Sequence, residues 1–148
     1  QGNLKMTTIK KSVRVPYTAA QMYALVNALE QYPEFLPWCK GVIVRNRSPK
    51  SVEAIVQGSK IGIDFSVVIV NYLTADKLID VNLMQQGPFR QIAISCKFES
   101  LEKGSRFTFE LNFEFINRIL GWTLTPILQK ESTNLIRAVC QRAKKIYG

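Results

Sequence analysis

Phe107-Thr108-Phe109-Glu110-Leu111-Asn112-Phe113-Glu114-Phe115 alternates apolar and polar residues without a break. A strand points successive side chains to opposite faces. This run therefore belongs to a sheet with a dry face carrying the phenylalanines and Leu111, and a wet face carrying Thr108, Glu110, Asn112 and Glu114. The same period recurs upstream, where Ile63, Phe65, Val67 and Ile69 alternate with Asp64, Ser66, Val68 and Val70. Ile92, Ile94, Cys96 and Phe98 alternate in the same way with Ala93, Ser95 and Lys97. From Val42 onward turn residues punctuate the chain at Asn46 to Lys50, Gly58 to Gly62, Thr74 to Asp76, Gln86 to Pro88 and Glu102 to Gly104, which predicts a meander of six strands. Beyond Arg118 the period becomes helical. Leu120, Leu124, Leu128, Leu135, Val139, Ala143 and Ile146 fall on one stripe, with Ile127 and Ile136 beside it, so a helix from about residue 117 to 147, kinked at Thr125-Pro126, covers the dry face.

Toward the N-terminus, Thr7 to Val15 alternates weakly through Ile9, Val13 and Val15 and reads as a first strand ended by Pro16. Thr18 with Gln21 three positions on has the form of a capping box, opening a helix whose apolar face is Met22, Val26 and Leu29, with Leu25 adjacent. Then comes Gln31-Tyr32-Pro33-Glu34-Phe35-Leu36-Pro37-Trp38-Cys39-Lys40-Gly41. Its two prolines forbid a continuous helix or a central strand, which leaves a short second helix. Phe35, Leu36 and Trp38 need an apolar partner, either as a cover over the end of a core or as a lid over a cavity. The order of strand, two helices, six strands and long helix predicts an α+β domain, with a seven-stranded antiparallel sheet wrapped around the last helix. Sheet twist opens a wedge beneath such a helix. Its expected lining is Phe107, Phe109 and Phe113 facing Leu124, Ile127 and Leu128.

Composition limits what such a domain can do. Hydrophobic residues make up 47% and charged residues 21% of the 148, and no apolar stretch approaches the ~20 residues that span a bilayer. One domain over residues 6–148 is expected, with Gln1 to Lys5 a remnant of recombinant expression, since they lack the features of a secretion signal. Cys39, Cys96 and Cys140 have no paired spacing for a metal or a redox dithiol, and histidine is absent. Metalloenzyme and triad hydrolase readings lose their usual ligand and base. Twenty Lys and Arg against eleven Asp and Glu give a net charge of +9, which points to an anionic partner. Two basic stretches carry no acid: Lys40, Arg45, Arg47 and Lys50, then Arg137, Arg142, Lys144 and Lys145. They suit phosphates of ribosomal RNA or of lipid headgroups. The alternative is a solvated face plus cations complementing the negative end of a helix.

The run Tyr32 to Cys39, preceded by Val15-Pro16-Tyr17 and Ala20-Gln21-Met22-Tyr23-Ala24-Leu25-Val26, closely resembles the bacterial ribosome association toxin family, whose mitochondrial relatives are coenzyme Q-binding proteins. The resemblance continues through Phe113-Glu114-Phe115, Asn117-Arg118 and the ending Arg142-Ala143-Lys144-Lys145-Ile146-Tyr147-Gly148. It implies the helix-grip (START-like) fold of the superfamily also labelled polyketide cyclase or dehydrase. It implies two functions as well: binding ubiquinone or a related polyprenyl lipid in support of respiration, or binding the large ribosomal subunit and blocking subunit association.

The expectation is therefore a non-enzymatic carrier, with no cofactor other than a bound ubiquinone or similar polyprenyl lipid and no metal. It would be cytoplasmic and able to touch an anionic membrane peripherally. Tyr32, Phe35, Leu36, Pro37 and Trp38 would gate the opening beside the lipid head, with the tail along Phe107, Phe109, Phe113, Leu124, Ile127 and Leu128. The alternative is a translation regulator whose basic residues contact rRNA of the large subunit. An enzyme needs acids or bases placed inside the cavity. Alternation puts Glu110, Glu114 and Asp64 on the wet side, and Tyr23, Tyr32 and Tyr72 are expected to tie their hydroxyls to backbone.

Overall fold

The computed structural model describes residues 6–148 apart from Ile61, so the segment Gln1 to Lys5 lies outside the described residues. The first strand, β1, covers Thr7–Val15, and α1 covers Ala19–Asn27. The capping box forms: Thr18 Oγ1 accepts the Gln21 amide proton at 3.0 Å, and Gln21 Oε1 accepts that of Thr18 at 2.9 Å. A 3-10 turn at Leu29–Gln31 leads into α2, Tyr32–Phe35. Pro33 occupies the first turn of α2, where no amide proton is needed. Leu36, forced out of the helical region by Pro37, is extended at φ −107° and ends the helix.

Six strands follow: β2 Cys39–Arg47, β3 Ser51–Lys60, β4 Ile63–Thr74, β5 Leu78–Leu83, β6 Phe89–Ser100 and β7 Ser105–Phe115. β2 starts at Cys39, earlier than expected, because Cys39 already pairs with Gly58 of β3. The sheet order is β1-β7-β6-β5-β4-β3-β2, antiparallel throughout, with β1 and β2 as free edges. The β6–β7 hairpin depends on Gly104, whose φ is +81° and where an added Cβ would stand 2.0 Å from the Val15 carbonyl oxygen.

The last helix, α3, runs unbroken from Arg118 to Tyr147, capped by Asn117, whose Oδ1 accepts the Leu120 amide proton at 2.9 Å. Pro126 lies inside it and has no proton to give the carbonyl of Trp122, so the ladder skips one bond while the helix continues. Its C-terminal part is firmly seated. Val139 and Ala143 are buried with Met22, Val26, Phe98 and Phe107, and the Tyr147 hydroxyl donates to the Gln21 carbonyl at 2.9 Å. Ile146, expected on the buried stripe, is 49% exposed, because Tyr147 takes the inward place in the last turn against Tyr17.

The wet face of β7 is drier than alternation predicts. β7 is an inner strand flanked by β1 and β6, so long neighbours shield its outer side chains. Glu114 is 9% exposed, with Arg90 Nε at 3.5 Å. Thr108 is buried and shares a hydrogen bond with Ser12 Oγ at 2.7 Å.

Candidate functional site

The closest approaches of α3 are to β1, β7 and α1. It faces the middle strands across a cavity of about 460 Å³, within the usual range for small-molecule sites. Phe65, Val67, Ile69 and Asn71 of β4, Ile92, Ile94 and Cys96 of β6, and Phe107, Phe109 and Leu111 of β7 form its floor. Leu128, Ser132, Leu135 and Val139 of α3 form its roof, at spacings of four, three and four that keep them on one helical face. Tyr32, Phe35, Leu36 and Trp38 close one end.

Three contacts define the mouth. Trp38 lies over Phe65 with ring centroids 5.9 Å apart, and Phe65 is 37% exposed. Phe65 lies flat because it covers Gly58, where an added Cβ would come within 2.4 Å of the ring. Lys60 at the end of β3 pairs with Glu131 of α3 at 3.0 Å, joining sheet to helix beside the opening. Arg142 binds Glu34 at 2.9 Å and sits over the Phe35 ring at 5.3 Å, which ties α2 to α3.

Deeper in, the titratable groups are held neutral. Burial pushes the Cys96 thiol up to about 12, with Asp80 adding to the effect. Burial, and then Cys96 and Cys39, push the Tyr32 phenol upward as well. The Tyr32 hydroxyl is occupied as a donor to the Val26 carbonyl, and that of Ser132 as a donor to the Leu128 carbonyl at 2.7 Å. The buried oxygen Asn71 Oδ1 has no hydrogen-bond partner among the described residues. Among those residues no group of three or more His, Cys, Asp or Glu side chains gathers as a metal site.

Of the residues expected to line a cavity, Tyr32, Phe35, Leu36, Trp38, Phe107, Phe109 and Leu128 are on its walls. Four are elsewhere. Pro37 is exposed on the outer side of the α2–β2 connection. Ile127 is 43% exposed, because one residue before Leu128 is a rotation of about 100° off the inward stripe. Phe113 is fully buried, but near the other end of the sheet against Phe89 and Phe115, with centroids 6.1 and 5.4 Å away. Leu124, half-buried, packs into that same core cluster, a turn short of the cavity. The first turns of α3 border a second, shallower cleft of about 410 Å³ with Phe113, Trp122 and Pro126.

The basic residues divide as well. Lys40 pairs with Asp64 at 3.3 Å, Arg45 with Glu53, Arg47 with Glu30 at 2.8 Å, and Arg142 with Glu34. Lys50, Arg137, Lys144 and Lys145 are exposed and form no ion pair among the described residues. Sequence reasoning passed over Asn71, Glu131 and Ser132. Asn71 had a readable signal, since it continues the inward series Phe65, Val67, Ile69 and is the first polar residue in it.

An antiparallel sheet gripping one long helix over an apolar cavity defines a helix-grip, START-like protein. The family described as "Polyketide cyclase / dehydrase and lipid transport" matches residues 15–140, and the chain belongs to it. It is similar to the ribosome association toxin RatA of Escherichia coli (strain K12), at 36% identity over 97% of this chain and 90% of that one. The ZhuI aromatase/cyclase from Streptomyces sp. R1128 superposes with a TM-score of 0.83 at 12% identity, over 97% of this chain and 96% of that one. A START superfamily protein from Mycobacterium smegmatis does so with a TM-score of 0.80 at 19% identity, over 94% of this chain and 98% of that one. At these identities the two structures speak for the fold alone.

Proposed function

We propose that the protein is a non-enzymatic carrier of a hydrophobic ligand, most closely matched by ubiquinone or a related polyprenyl lipid, in support of respiration. The observation that carries this reading is the cavity of about 460 Å³, whose walls are apolar apart from a few neutral polar groups and the Lys60–Glu131 pair at the mouth. A prenyl tail entering it gains roughly 0.8 kcal/mol for each methylene withdrawn from water. Binding is favoured over catalysis by the state of the candidate acids and bases. Asp64 and Tyr72 face solvent, Glu131 is paired with Lys60, and Tyr32 and Cys96 keep their protons. Organic extraction of the purified protein followed by mass spectrometry is expected to recover a polyprenyl quinone. A protein that yields none, and takes up no added quinone, overturns the reading.

A second reading, binding to the large ribosomal subunit, is supported by the 36% identity to a protein named a ribosome association toxin. Lys50, Arg137, Lys144 and Lys145, exposed and without ion pairs among the described residues, are the side chains best placed to meet rRNA phosphates; the same four suit a peripheral anionic membrane surface. Sedimentation of ribosomes with added protein tests it. The joined particles should fall in number with the wild type and persist when these four residues are replaced by Ala.

A further inference from the structure

We propose that the Asn71 carboxamide anchors the polar head of a neutral-headed lipid at the inner end of the cavity, an inference that rests on the carrier reading above. Asn71 is 2% exposed, lies on the cavity wall, and is paired in register with Val52 of β3 and Val81 of β5. Its Oδ1 has no hydrogen-bond partner among the described residues. A buried amide oxygen left in that condition has given up its hydration without a hydrogen bond in return. Turned over, the same amide presents two donors in place of the acceptor, so it can meet a carbonyl or a hydroxyl.

The rest of the cavity narrows the class of ligand. Its charged wall residues are Lys60 and Glu131, which neutralise each other at 3.0 Å. Among the described residues no cation lines the wall near Asn71, so a carboxylate or phosphate head placed there would be buried unpaired. A quinone, a phenol or an alcohol bears no such charge. Asn71 is six residues along β4 from Phe65 at the mouth, roughly 20 Å of strand. The ligand therefore enters head first and leaves its tail toward Trp38 and Phe65. This turns it end for end relative to the orientation expected from the aromatic gate.

The test uses the full chain and three probes, decylubiquinone, decylbenzene and decanoate, with affinities from tryptophan quenching and calorimetry. The wild type is expected to bind decylubiquinone most tightly. Asn71→Leu should weaken decylubiquinone about tenfold, the loss of one buried hydrogen bond, and leave decylbenzene unchanged. Decanoate should bind the wild type at least about tenfold more weakly than the quinone. The ligand-free variant should melt no lower than the wild type, since the orphaned oxygen is gone. If the Leu variant does not fold, Asn71→Val, a better strand former, repeats the comparison. Equal losses for quinone and hydrocarbon, no loss for either, or decanoate binding as tightly as the quinone would each overturn the anchor while leaving the carrier reading standing. No change for either probe is also what a trapped water serving Asn71 would give. Failure of the wild type to bind quinone and decylbenzene alike would overturn both.

Discussion

The two halves of the surface beneath α3 are built from similar strands and end up differently filled. Between α1, the C-terminal turns of α3 and the hairpin end of β6 and β7 the interior is solid: Met22 and Ala143 are fully buried, and Phe98 stacks on Phe107 at 5.4 Å with Tyr23 edge-on at 5.6 Å. Ala19 of α1 and Ala143 of α3 are both buried in this cluster. Over β3, β4 and β5 the cavity floor includes Val56, Val67, Ile69, Val81 and Leu83, aliphatic side chains that face Ser132 and Leu135 across a gap. Alternation makes both floors dry, and side-chain reach decides which one is filled. A core and a cavity in this fold differ in volume and share the same polarity.

Replacing Met22 by Ala removes a fully buried side chain from the solid half and should cost about 2–5 kcal/mol in denaturant unfolding. Leu83→Ala, in the hollow half, should cost less than about 2 kcal/mol, because part of its surroundings is already empty. Equal losses would erase the contrast. Val67→Phe sharpens it from the other side: a larger side chain fills the gap, so lipid uptake should fall at least about tenfold while stability stays within about 1.5 kcal/mol. Gly58→Ala places a methyl against Phe65 and should swing that ring off Trp38. A loss of about 1 kcal/mol is expected, with a changed Trp38 emission measured in a Trp122→Phe background. Lys60→Ala breaks a half-exposed ion pair, so stability should drop by less than about 1 kcal/mol, while bound lipid dissociates faster in stopped-flow exchange.

Much of this was legible in the chain. The turn residues at Asn46 to Lys50, Thr74 to Asp76 and Glu102 to Gly104 fall where the strands end, because glycine, asparagine and aspartate mark backbone shapes that other residues resist. The capping box at Thr18 and Gln21 forms as read. The cavity walls were less legible. Leu124 and Phe113 belong to the same periodic series as true wall residues and Ile127 flanks one, and periodicity gives a direction without saying what stands opposite. The stripe on α3 also has a gap between Leu128 and Leu135 that Ser132 fills, and a search restricted to apolar residues passes over it. Asn71 was missed for the same reason. A polar residue at an inward position breaks the pattern by which strands are found, and that break is what sets Asn71 apart.

Among the described residues the sheet stops at β1 on one side and β2 on the other. Lys10, Lys11 and Arg14 line the first edge, and Lys40, Arg45 and Arg47 the second. The cations of the second edge are each paired with an acid, whereas no ion pair is formed by those of the first among the described residues, and long charged side chains along a free margin hinder strands from zipping into fibrils. Such side chains need neither nucleic acid nor membrane to be useful, and replacing Lys10, Lys11 and Arg14 by Thr should raise the tendency of the chain to form ribbons.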